Sequence, residues 1–146
     1  MQVQNNLIMS QYFRGLSETA RVRYVEKLQL IGLQDTDDPY SKENKSRFCD
    51  NMTLWQPVEY GHIFSYFVMR PGLYTQGQLL AWKQLNSYNY FRSGYVRTIL
   101  AWKLNSVCLL KSLVNPSQKM PDTACCWIAV KENGTIISAH CTCMAG

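Results

Sequence analysis

The sequence predicts an α+β fold, with about three N-terminal helices followed by a four-stranded antiparallel meander. Three observations predict it. Helix signals recur on either side of a polar linker as far as Phe91, the apolar period changes to two from Tyr95 onward, and Asn133-Gly134 stands between the last two alternating segments as a hairpin signal. The chain has 146 residues, of which 47% are hydrophobic, enough to bury a core of its own.

The elements follow in order. Ser17 is suited to cap a helix running to about Ile31, and Gly32 to stop it. Ala20, Tyr24, Leu28 and Ile31 give it one apolar face with Val25 beside them, and Arg23, Glu26 and Lys27 lie opposite, the pattern of an amphipathic helix with a solvated side. Leu33 to Met52 carries no period and is rich in polar, turn-forming residues, which reads as a linker. Its acidic cluster, Asp35, Asp37 and Asp38, lacks the remaining ligands of a calcium loop and reads as a solvated loop. Pro57 suits a helix start, with Val58 to about Met69 helical and Pro71-Gly72 as the stop. Thr75 with Gln78 makes a capping box for a further helix to about Phe91, whose apolar residues spread round the axis and so predict burial on several sides. Val96, Thr98, Leu100, Trp102 and Leu104 then share one face of a strand, Asn105-Ser106 turns, and Val107 to Val114, Ala124 to Lys131 and Thr135 to Cys143 complete the sheet. This divides the chain into an N-terminal amphipathic helix (1–32), a polar linker (33–54) and a helical pair with the antiparallel sheet (55–146).

The net charge of +5 permits nucleic-acid contact without the clustered basic stripe that would argue for it. No apolar run approaches the length of a membrane span, and Met1 to Ser10 has neither the basic nor the apolar region of a secretory signal. The expected location is therefore intracellular, nuclear or cytoplasmic. In such a reducing compartment Cys49, Cys108, Cys125, Cys126, Cys141 and Cys143 are expected as free thiols or metal ligands. No nucleophile elbow, glycine-rich phosphate loop or paired carboxylates accompany the two histidines, His62 and His140, so no catalytic residue is assigned and the chain does not read as an enzyme.

The chemistry concentrates at the end of the last strand. Cys141 and Cys143, two residues apart on an extended backbone, point the same way and can both bind one metal ion. In a regular strand Thr135, Ile137, Ala139, Cys141 and Cys143 share a face and His140 points to the other, so His140 joins them only through a bulge. Two thiolates leave half of a zinc shell to other groups, such as Cys108, Cys125 or Cys126, or a second copy's Cys-x-Cys in a zinc-bridged homodimer. Thiolate pairs also suit monovalent copper, which would make a soft-metal or redox thiol protein; a disulfide between residues two apart is strained.

The stretch from Trp127 to Gly146, a strand, an Asn-Gly turn, a strand and then Ala-His-Cys-Thr-Cys-Met-Ala-Gly, resembles the first half of a SWIM-type zinc finger. Further upstream, Arg23-Tyr24-Val25-Glu26-Lys27-Leu28, Asp38-Pro39-Tyr40-Ser41, Tyr74-Thr75 leading into Trp82-Lys83, and Tyr88-Asn89-Tyr90-Phe91 before Ser93-Gly94 resemble the region before that finger in animal proteins of transposon origin, where a YqaJ-type viral recombinase (nuclease) domain commonly follows. The resemblance implies zinc as cofactor, Cys141 and Cys143 as its ligands, and nucleic acid or protein as partner. The family's later Cys-x-His half does not appear, so the resemblance also implies a fragment or short isoform whose hairpin is an incomplete zinc finger. The expected function is a non-enzymatic zinc-binding interaction module, or else part of a nuclease protein without its catalytic domain. The strand end is expected to fray from about His140 onward.

Overall fold

A computed structural model describes residues 9–69, 91–115 and 123–143, and over these the fold is α+β: a four-stranded antiparallel sheet with helices and short 3-10 turns. The helix α1 spans Gln11–Arg14 and α2 spans Glu18–Leu30. After 3-10 turns at Asp35–Asp37, Lys42–Arg47 and Met52–Leu54 comes α3, Tyr60–Met69. The sheet follows as β1 (Leu100–Leu104), β2 (Val107–Val114), β3 (Ala124–Lys131) and β4 (Ile136–Cys141), paired in sequence order. The predicted helix from Thr75 lies, but for its last residue Phe91, outside the described residues, as does most of the β2–β3 connection. No helix among the described residues is long and apolar enough to cross a membrane.

Local chemistry sets the first half. The Ser17 hydroxyl accepts from the Ala20 amide at 3.3 Å and opens α2, and Gly32 just beyond it takes φ +75°, a conformation that costs a residue with a Cβ and costs glycine nothing. The predicted apolar face is the buried one: Tyr24, Leu28 and Ile31 are all buried. A shorter helix before it, α1, has its own cap, the Ser10 hydroxyl accepting from the Phe13 amide. Met9 and Phe13 join Tyr24 and Leu28 against one face of the sheet, formed by Trp102, Val107, Leu109, Trp127 and Ala129. On the opposite face Ala101, Cys108 and Val130 are buried.

The segment read as a polar linker is packed into this core. Leu33 and Phe48 are buried in it, and Phe48 meets Trp102 edge-on at 5.5 Å. Asn44, 2% exposed, donates to the carbonyls of Thr36 and Asp38. Lys111 reaches from β2 to donate to the Pro39 carbonyl at 2.9 Å and lies over the Phe48 ring. Cys49 pairs with Ala101 through two backbone hydrogen bonds and so continues the sheet past β1. Polar composition misled the reading here because the polar side chains satisfy the segment's own backbone, leaving its few apolar ones free to turn inward.

The sheet follows the predicted period closely. Trp102, Leu100 and Leu104 face the core together, as expected, although regular pairing begins at Leu100 and Val96 contributes only an isolated bridge to Val114. Asn105 takes φ +45° between β1 and β2. The β3–β4 hairpin closes with the Gly134 amide bonded to the Lys131 carbonyl and Gly134 at φ +88°, a three-residue loop with its glycine in the left-handed region. The register then shifts: Ala129 faces Ser138 but Val130 faces Ile136, so Ile137 is an extra residue in β4. Ile137 packs against the core cluster instead of sharing a face with Ala139 and Cys141, which corrects that part of the predicted alternation.

Candidate functional site

The two faces of β4 at its C-terminal end carry different chemistry, because the side-chain alternation places His140 toward the helices and Cys141 away from them. The bulge at Ile137 precedes both, so the expected separation of His140 from the thiols holds.

On the helix side, His140 is opposite Trp127 and its ring lies 4.7 Å from that of Tyr24. Both ring nitrogens are engaged: Lys27 Nζ lies 3.0 Å from Nδ1 and Tyr12 Oη 2.8 Å from Nε2. An ammonium has no lone pair, so Lys27 donates to Nδ1, which places the imidazole proton on Nε2, and that N–H donates to Tyr12. Burial first, and then the Lys27 charge, press the His140 pKa down to about 4, so the ring is neutral near pH 7. Its one lone pair is taken by Lys27, which fits a structural histidine and not a metal ligand.

Next to it lies Asp38, expected in a solvated loop. The structure corrects that reading: Asp38 is 0% exposed and accepts three hydrogen bonds, from the Ser10 amide at 3.0 Å, the Tyr24 hydroxyl at 2.6 Å and the Tyr40 amide at 3.0 Å. A buried carboxylate is tolerable only when its oxygens are so satisfied. Burial and the neighbouring Asp38 charge raise the Tyr24 pKa, and burial and nearby thiols raise that of Tyr40. Asp37, a second member of the acidic cluster, pairs with Arg47 at 2.9 Å. Three stretches quoted for the resemblance, around Tyr24, Asp38-Pro39-Tyr40 and Trp127 with His140, therefore meet at one place.

On the other side are the thiols. Cys141 is half-buried and Cys143 exposed, and the Cys143 amide donates to Cys141 Sγ at 3.2 Å. Cys126 stands directly across from Cys141 on β3. The interaction of the two thiols lowers the Cys126 pKa and raises that of Cys141. Of the three cysteines weighed as helpers, only Cys126 reaches the pair. Cys125 alternates to the face of Trp127, Tyr40 donates to its carbonyl, and burial raises its pKa. Cys108, fully buried and paired with Val130, also has a raised pKa. Among the described residues, no group of three or more His, Cys, Asp or Glu side chains is arranged to hold a metal ion. Thr142 ties the strand end down: its amide donates to the Cys125 carbonyl at 3.0 Å and its hydroxyl accepts from the Cys125 amide at 2.9 Å.

The position of Cys126 was within reach of the sequence. Pairing residues outward from Asn133-Gly134 one for one puts Cys126 opposite Cys141, and the three-residue loop with its compensating bulge restores that register. His62, the remaining histidine, accepts from the Glu59 amide through Nδ1 and lies under the hairpin tip, where a Cβ on Gly134 would come within 2.2 Å of the Pro57 carbonyl oxygen and 2.5 Å of the His62 ring.

In comparisons with known proteins, the chain matches no family profile, no curated protein and no solved structure.

Proposed function

We propose that this chain is a non-enzymatic zinc-binding interaction module of the SWIM type, meeting nucleic acid or protein, with Cys141 and Cys143 as its metal ligands. The observation that carries the reading is the thiol pair at the end of a hairpin strand, joined by hydrogen bonds on one side of the sheet. Its support from kinship is the resemblance of Trp127 to Gly146 to the first half of that finger. Sulfur is the donor chemistry that zinc prefers, and a tetrahedral shell needs four donors. Cys141 and Cys143 supply two; the others come from outside this pair, from a Cys-x-His half of the kind the family carries or from a second copy. Zinc in such a site holds structure and takes no part in a reaction.

Mass spectrometry under non-denaturing conditions, with one equivalent of zinc, reads metal and assembly together. One zinc per two chains, lost on Cys141→Ser or Cys143→Ser, is the expected result. A folded chain that takes up no zinc contradicts the proposal.

A further inference from the structure

We propose that Cys126 and Cys141 form a cross-strand dithiol that closes to a disulfide, making the end of the β3–β4 hairpin a site of reversible oxidation by low-molecular-weight disulfides such as oxidised glutathione. The backbone supports this pairing. Thr142 and Cys125 form the closely bonded pair of the ladder, with the Thr142 amide on the Cys125 carbonyl and the Thr142 hydroxyl on the Cys125 amide. Ladder pairs alternate, so the next pair, Cys126 and Cys141, is of the type without mutual backbone hydrogen bonds. In such pairs the Cα atoms are about 4.5 Å apart, at the short end of the roughly 4.4–6.8 Å that a disulfide spans. Both side chains leave the sheet on the same face, both are half-buried, and both cysteines are free thiols.

The alternatives fit less well. Cys125 leaves from the opposite face, and Cys143 follows Cys141 at a spacing of two, where a disulfide is strained. Cys49 pairs with β1 and Cys108 lies on β2 opposite Val130, away from the β3–β4 end that holds Cys126 and Cys141.

The chemistry balances with one co-reactant. One thiolate attacks a sulfur of oxidised glutathione, forming a mixed disulfide and releasing one glutathione thiolate. The facing thiolate then attacks the protein sulfur of that mixed disulfide and releases the second glutathione. Two protein thiols lose two protons and two electrons, and one oxidised glutathione becomes two reduced ones. The bond itself does not depend on the zinc reading. Its consequence for zinc does rest on that reading: oxidation would withdraw Cys141 from Cys143 and break up the metal pair.

The test uses the full chain with a chelator present, so that it stands apart from metal binding. The chain is equilibrated with oxidised and reduced glutathione, alkylated, and mapped by tryptic digestion. The expected result is an intact mass lowered by two hydrogen atoms and one crosslink joining peptide 120–131 to peptide 132–146. That crosslink is expected to persist in Cys125→Ser and Cys143→Ser and to vanish in Cys126→Ser and in Cys141→Ser. Cys126→Ala and Cys141→Ala repeat the result should a serine variant not fold. Absence of the crosslink in the unaltered chain under excess oxidised glutathione overturns the proposal, and so does its persistence without Cys126 or without Cys141.

Discussion

The two faces of the β4 end differ in what satisfies their polar atoms. On the helix side His140 has both nitrogens bonded within the fold, and the Asp38 beside it accepts three hydrogen bonds. On the other side Cys126 stands across from Cys141, and the Cys143 amide donates to Cys141 Sγ. The same strand thus builds a closed structural network on one face and leaves soft nucleophiles on the other. A histidine next to two cysteines in sequence therefore belongs to the fold, while Cys141 stands on the face turned away from it.

The largest effect expected is on the closed side. Asp38→Ala strands the Ser10 and Tyr40 amides and the Tyr24 hydroxyl in the interior, and we expect a loss of about 3–5 kcal/mol in chemical denaturation. Gly134→Ala comes next: it places a Cβ at φ +88° and drives it into the Pro57 carbonyl, so about 2–3 kcal/mol should be lost with the thiol face unchanged in reactivity.

A third, smaller effect is pH-dependent. His140 titrates at about 4 folded and near 6.5 unfolded, so between these values the unfolded chain binds more protons and stability rises with pH. The contribution is fully present above about 6.5 and fades as the pH falls toward 4. The ring is only partly buried, and solvent screening reduces the effect to about 1–2 kcal/mol. Urea midpoints across this range should show that slope in the native chain and lack it in His140→Gln. A slope unchanged by that substitution would break the contrast between the faces. The smallest effect is at Ser138, whose buried hydroxyl has no hydrogen-bond partner among the described residues: Ser138→Ala should be neutral or stabilising by less than about 1 kcal/mol in thermal melts.

Much of this was legible in the sequence, for physical reasons. Strand and helix periods report which side is buried, so Tyr24 with Leu28, and Trp102 with Leu104, were readable, as were Ser17 and Gly32 as the bounds of α2. Contacts between distant segments carry no period. Asp38 looked solvated because nothing nearby in sequence announces that Tyr24 and Ser10 come to meet it. The bulge at Ile137 is likewise advertised by neither residue type nor spacing, although the facing of Cys126 and Cys141 that it restores follows from pairing outward from Asn133-Gly134. The predicted fraying from His140 onward meets a strand end that is tied at Thr142 and Cys125, so protection is expected at the Thr142 amide in hydrogen exchange.

The central claim, that a metal ion bound at this strand end would be held by its cysteine face and not by His140, is tested most directly by titrating the reduced chain with cobalt(II) as an optical stand-in for zinc. The account predicts thiolate-to-cobalt charge-transfer absorption in the unaltered chain and in His140→Gln, and its loss in Cys141→Ser. Absorption that disappears with His140→Gln and survives Cys141→Ser would contradict it.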